Sequence, residues 1–250
     1  MFRIVDGPLL VFISSLLLQW IAAYVGDLLR RKVKPVKSEA RADLDTVLTA
    51  TLTLLALIIG FTFSMAVSRY DLRKNYEEAE ANAIGTEFLR ADLLPTETAE
   101  KTRKLLRSYV EQRIAFYRDD AVAPGMVKQD TAKTHNQLWL SVMEGTAGQS
   151  TPIAALVLSG MNDVINAEGY TQAAWWNRIP LAAWALMAIM AVVSNMLLGY
   201  REQRTNALVL TVLPVIVSIA FFLISDIDSP YAGGIRVVPY DLIAVSTSMR

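Results

Sequence analysis

The chain has no cysteine and a single histidine, His135, in 250 residues. The first absence excludes disulfide frames, thiolate metal sites and thiol nucleophiles, and the second leaves no histidine pair to hold a zinc ion. His135 stands beside Lys133, Asn136 and Gln137, a polar run that predicts a solvent-facing ring rather than a ligand or base. An excess of charge is missing too: 24 basic residues meet 24 acidic ones, so attraction of nucleic acid by net charge is excluded. No G-x-G-x-x-G, P-loop, G-x-S-x-G or H-E-x-x-H pattern occurs. The sequence predicts no enzyme, calls for no cofactor and implies no nucleic-acid partner.

What is abundant is apolar side chain, 53% of the residues, and it is gathered into four runs. Residues 8–26, 46–68, 179–200 and 205–225 contain no Asp, Glu, Lys or Arg. Each is close to the ~20 residues that carry a helix across roughly 30 Å of hydrocarbon, so a four-span integral membrane protein is expected. The first run has no basic leader and no Ala-x-Ala site, and is read as a span rather than a signal peptide.

Residues 69–178 hold 13 basic and 15 acidic side chains and cannot lie in lipid. Their pattern is helical. Leu89, Leu93 and Leu94 close one amphipathic segment before Pro95, and Thr96 and Glu97 open another running through Leu105, Leu106, Tyr109, Val110, Ile114 and Tyr117. Ala123, Pro124 and Gly125 mark a loop, a third helix is expected over 131–145, and Ser150, Thr151 and Pro152 start a fourth. The expected organisation is a first hairpin over 1–68, an all-α extramembrane domain over 69–178, a second hairpin over 179–226 and a short tail over 227–250.

From Phe61 to Ile84 there is neither Pro nor Gly, so the second span should run on into the soluble domain as one helix. Arg73 with Glu77 and Lys74 with Glu78 are four residues apart, the spacing of pairs on a solvated face. Within the membrane this helix is unusual. Ala56, Gly60, Ser64 and Ser68 recur every four positions, with Thr49 and Thr53 continuing the stripe. Small residues at this spacing let helices pack closely. In an oligomer they can instead border water, with Phe61 or Phe63 as a narrow apolar constriction and Arg69 at the mouth as an attraction for anions. Both readings stay open on the sequence.

Orientation also has two readings. Arg30, Arg31, Lys32, Lys34, Lys37 and Arg41 crowd the loop after the first span, and Arg201 and Arg204 the loop between the last two. The positive-inside rule puts both loops in the cytoplasm of a bacterial inner membrane and the helical domain outside. Trp175 and Trp176, just before the third span, are expected as interface anchors.

Residues 54–94, LLALIIGFTFSMAVSRYDLRKNYEEAEANAIGTEFLRADLL, and residues 225–239, SDIDSPYAGGIRVVP, resemble a bacterial bestrophin-like membrane family. The order of span, basic loop, span, helical insert, two spans and tail is similar over nearly the whole chain. A more distant resemblance is to the bestrophins, pentameric anion channels whose second helix lines the neck. It implies a homo-oligomer that conducts ions such as chloride, with Phe61, Phe63 and the neighbouring small residues facing the pore and the helical domain in the cytosol. The alternative is a non-conducting scaffold or sensor whose helical domain binds a partner or membrane lipid. In the tail, Asp226 and Asp228 match the place of the bestrophins' acidic calcium cluster. Two carboxylates supply too few of the 6–8 oxygens that calcium prefers, and pairing with Arg236 explains them equally well.

Overall fold

A computed structural model describes residues 7–32, 38–118, 124–201, 207–231 and 233–250. Lys34, Lys37, Ala123 and Arg204 lie outside the described residues. Every regular element is helical: α1 Pro8–Lys32, α2 Ser38–Arg90, α3 Thr96–Arg118, α4 Pro124–Gly145, α5 Pro152–Trp176, α6 Leu181–Arg201, α7 Ala207–Asp228 and α8 Tyr240–Ser248. No strand occurs among the described residues. The expected all-α membrane fold is observed, with four helices long and apolar enough to cross a bilayer.

Helix α2 spans 53 residues, about 80 Å at 1.5 Å per residue. It ends where it must. Pro95 forces Leu94 out of the helical region (φ −83°, ψ 161°), and the chain leaves α2 through a 3-10 turn over Ala91–Leu93. Thr151 caps α5 by accepting the Ala154 N–H, with Pro152 in the first turn. Helix α4 starts seven residues before the expected 131. Pro124 and Gly125 belong to its first turn, because proline tolerates that position and its fixed φ suits a helix start.

The chain divides into two compact units. One comprises Met1–Tyr70 with Arg178–Arg236, the other Asp71–Asn177 with Val237–Arg250. In the first, Leu55 and Ala66 of α2 pack with Trp184, Met187 and Ala191 of α6 and Val217, Phe221 and Ile224 of α7. Gly26 of α1 and Gly199 of α6 set the closest approach. A Cβ on Gly26 would stand 2.0 Å from the Met196 carbonyl oxygen, and one on Gly199 2.0 Å from that of Ala23. Asn195 donates to Gln19 (3.0 Å), and Gln19 in turn donates to Ser218 (3.1 Å). This chain of amides and hydroxyl joins α1, α6 and α7 where the hydrocarbon offers no partner of its own.

The second unit has a core of Leu106, Tyr109, Val110, Leu138, Val142, Val157 and Met161, each at most 1% exposed. Arg113 and Glu80 are paired inside it and Thr171 donates to Glu80 at 3.0 Å. Three expectations fail here. His135 is half-buried and bonds the Tyr109 hydroxyl at 3.0 Å, and burial with Arg113 nearby pushes its pKa down to about 4. Trp175 is 5% exposed and lies among the rings of Phe116 and Tyr117, leaving only Trp176 exposed as a possible interface side chain. Arg73 and Glu77 do not form a solvated pair. Both are buried, Arg73 donating to the Ala174 carbonyl and Glu77 accepting the Leu242 N–H at 3.0 Å. That last bond ties the tail, which forms α8, to α2.

Candidate functional site

Within the membrane, one side of α2 is buried and the other is not. Leu48, Leu55, Thr62 and Ala66 are at most 5% exposed, and their spacing of seven, seven and four residues keeps them on one face. Thr49, Thr53, Ala56, Gly60, Ser64 and Ser68 are all exposed. Gly60 decides between two origins of the stripe. A Cβ added there would meet nothing within 4 Å, whereas Gly26 and Gly199 could not accept one. Close packing between membrane helices is therefore made at Gly26 and Gly199 of α1 and α6, and not at Gly60. The sequence signal for the true contact was present in Ala22, Ala23 and Gly26.

The stripe is polar in a limited way. Thr53 donates its hydroxyl to the Thr49 carbonyl at 2.8 Å, so what it turns outward is oxygen lone pairs and a methyl group. Ser64 and Ser68 have no partner among the described residues. The two phenylalanines flank the stripe on opposite sides. Residues two apart are separated by about 160° round a helix, so Phe61 (66% exposed) and Phe63 (40%) cannot face one axis together. Phe63 lies about 60° from the stripe's centre line and Phe61 about 100°. Phe61 joins Leu54, Leu57 and Met65 in an exposed apolar flank.

Arg69 is not with the stripe. It lies about 140° round the helix from Ser64, only partly exposed, and its guanidinium is 3.9 Å from Asp228. Asp228 also accepts from Arg178 at 3.0 Å and from the Ile179 N–H, so it holds the end of α7 to the start of α6. Asp226 accepts the Gly234 N–H at 2.7 Å and the Ile235 N–H at 2.9 Å. Gly233 is required there, because a Cβ on it would be 2.3 Å from the Asp226 carbonyl oxygen. Both carboxylates are occupied by protein donors. Arg236 donates to the Gly233 carbonyl. Among the described residues no three of His, Asp or Glu are grouped to hold a metal ion.

Against known proteins, a family model for the bestrophin-like domain matches residues 18–242. The chain belongs to the bestrophin-like family. A crystal structure of a single-substitution variant of a bacterial bestrophin homologue from Klebsiella pneumoniae superposes with a TM-score of 0.65 at 14% identity, covering 95% of this chain and 93% of that one. A homologue from the same organism, phased with zinc, gives 0.63 at 15% identity with 95% of each chain covered. A structure described as a membrane protein variant gives 0.65 at 14%, again over 95% of each. At such identities the likeness is one of fold. No protein of curated function matches the sequence. The bestrophin-like chain is thus an integral membrane protein of a channel-type fold.

Proposed function

We propose that copies of this bestrophin-like chain form a ring in which the stripe of α2 borders a water-filled ion path. Gly60 carries the reading: it is exposed within a membrane helix, a Cβ on it would meet nothing within 4 Å among the described residues, and it sits in a row with Thr49, Thr53, Ala56 and Ser64. Toward lipid such a row has no advantage, since hydrocarbon accepts Leu and Phe at least as well. Around an axis, small side chains leave room for an ion and hydroxyl oxygens can replace part of its water. The apolar flank of Leu54, Leu57 and Phe61 then meets the neighbouring copy, and Phe63 narrows the path.

Anion conduction, chloride included, is supported by family membership. Arg69, turned toward Asp228, adds nothing to it. The basic loop after α1 supports a helical domain on the outer side of a bacterial inner membrane, and the bestrophin resemblance supports the cytosolic side.

The test is flux from purified protein in liposomes, under separate chloride and potassium gradients, with Gly60→Leu beside the wild type. The expected result is flux of one ion, reduced in the variant while the oligomer persists. No flux under either gradient favours a scaffold or sensor. An oligomer that dissociates in Gly60→Leu while any current is unchanged assigns the stripe to packing between copies.

A further inference from the structure

A cavity of about 450 Å³ lies among α1, α6 and α7, and no residue of the α2 stripe lines it. It exists because α6 carries Ala185, Ala188 and Ala191 where a larger side chain would fill it. Along α1 it extends from Val11 to Gln19 and along α6 from Leu181 to Ala191, about 12 and 15 Å at 1.5 Å per residue. Half of a bilayer's hydrocarbon is about 15 Å thick. The two helices run the same way, since the N-terminal part of α1 (Val11 to Gln19) faces the N-terminal part of α6 (Leu181 to Ala191) across the cavity, while further along Gly26 meets Met196 and Tyr200. The cavity therefore starts where both helices enter the membrane and ends near its middle.

Its walls are apolar where they are not already satisfied. Ser14 and Ser15 donate to the Val11 and Phe12 carbonyls of their own helix. Gln19, 1% exposed, donates to the Ser15 carbonyl and Ser218 and accepts from Asn195. Apart from the Trp184 indole N–H, which is buried and has no hydrogen-bond partner among the described residues, no wall group asks for a polar ligand. The rim residues Leu18 and Leu181 are exposed, so the medium at the opening is the bilayer.

We propose that this groove seats one acyl chain of a bilayer phospholipid, inserted beside Trp184 as a fixed component of the transmembrane unit. Trp184, 8% exposed and edge-on to Phe221, reports directly on it. The protein is reconstituted in vesicles of phosphatidylcholine with mid-chain bromine, and the Trp184 emission is taken as wild type minus Trp184→Phe. Expected is strong quenching of that emission. Ala188→Phe, which fills the groove, should at least halve the quenched fraction without changing oligomer size. Ala185→Leu serves as a second filling variant should the first fail to assemble. Trp184 emission unaffected by brominated lipid would overturn the proposal, because the groove would then be closed by a second copy of the chain or collapsed. Equal quenching with and without the filling side chain would overturn it too, placing the lipid only around the outside.

Discussion

Replacing Glu87 by glutamine should change how stability depends on pH. Glu87 is fully buried in the helical unit, and neither carboxylate oxygen has a hydrogen-bond partner among the described residues. Arg90 is 3.9 Å away, too far for a hydrogen bond. The carboxylate is pressed against α5 where Gly160 leaves space, and a Cβ there would be 2.0 Å from Glu87 Oε2. Burial pushes the pKa up to about 8, with Arg90 opposing and Asp163 adding to the rise. A raised carboxylate pKa means that the folded state holds the proton longer than the unfolded one. Its contribution to stability is complete below the ordinary value of 4.5 and is lost as pH rises toward 8. At ~1.4 kcal/mol per unit the full shift would be roughly 5 kcal/mol, and relaxation of the site reduces that to about 2–4.

Glutamine keeps the shape and does not titrate, so any cost of the amide is the same at every pH. The assay is the thermal midpoint of purified wild type and Glu87→Gln across this range. The difference between them should shift in the variant's favour by about 5–10 °C from acid to alkaline pH, at roughly 2–4 °C per kcal/mol. Glu77 titrates in the same window. Burial pushes it up to about 7, the Leu242 N–H opposing and Asp241 adding to the rise. The difference between variants, rather than the wild-type slope, is therefore the readout. Parallel profiles for the two proteins would refute the reasoning.

Three further outcomes are expected. Phe63→Ala should raise ion flux several-fold while Phe61→Ala instead weakens the oligomer on size exclusion; the reverse pattern would put Phe61 on the axis. Gly26→Ala should lower the thermal midpoint, since the added methyl forces α1 and α6 apart at a cost of about 1–3 kcal/mol, and an unchanged midpoint would show that this contact is loose. Gln149→Cys, in the exposed turn before α5, should react with a membrane-impermeant maleimide on intact cells if the basic loops govern orientation; reaction only after permeabilisation would assign the domain to the cytosol.

The four spans were legible because charge is absent from them, and the α2 end because Pro95 dictates it. Partners distant in sequence were not. Arg73 and Glu77 have the spacing of a surface pair, but their bonds go to Ala174 and Leu242, 101 and 165 residues away. Helix α8 has nine residues and holds its place by packing and by Glu77 rather than by a strong local pattern, so the sequence shows only a short tail there. His135 read as exposed because its sequence neighbours are polar, while the contact that matters comes from Tyr109 on another helix. For the candidate site, periodicity gave the stripe but not which side of α2 the other helices cover. The same period describes Leu48, Leu55 and Thr62, and only packing separates the two faces.

The absence of cysteine makes the central claim directly measurable. Ser64→Cys introduces the sole thiol, and a charged thiol reagent can then be applied to flux in liposomes, with buried Leu55→Cys as the control. An α2-lined path predicts that the reagent abolishes most of the flux through Ser64→Cys and leaves the wild type and the control unchanged. Undiminished flux after labelling of Ser64→Cys has been verified by mass would contradict it.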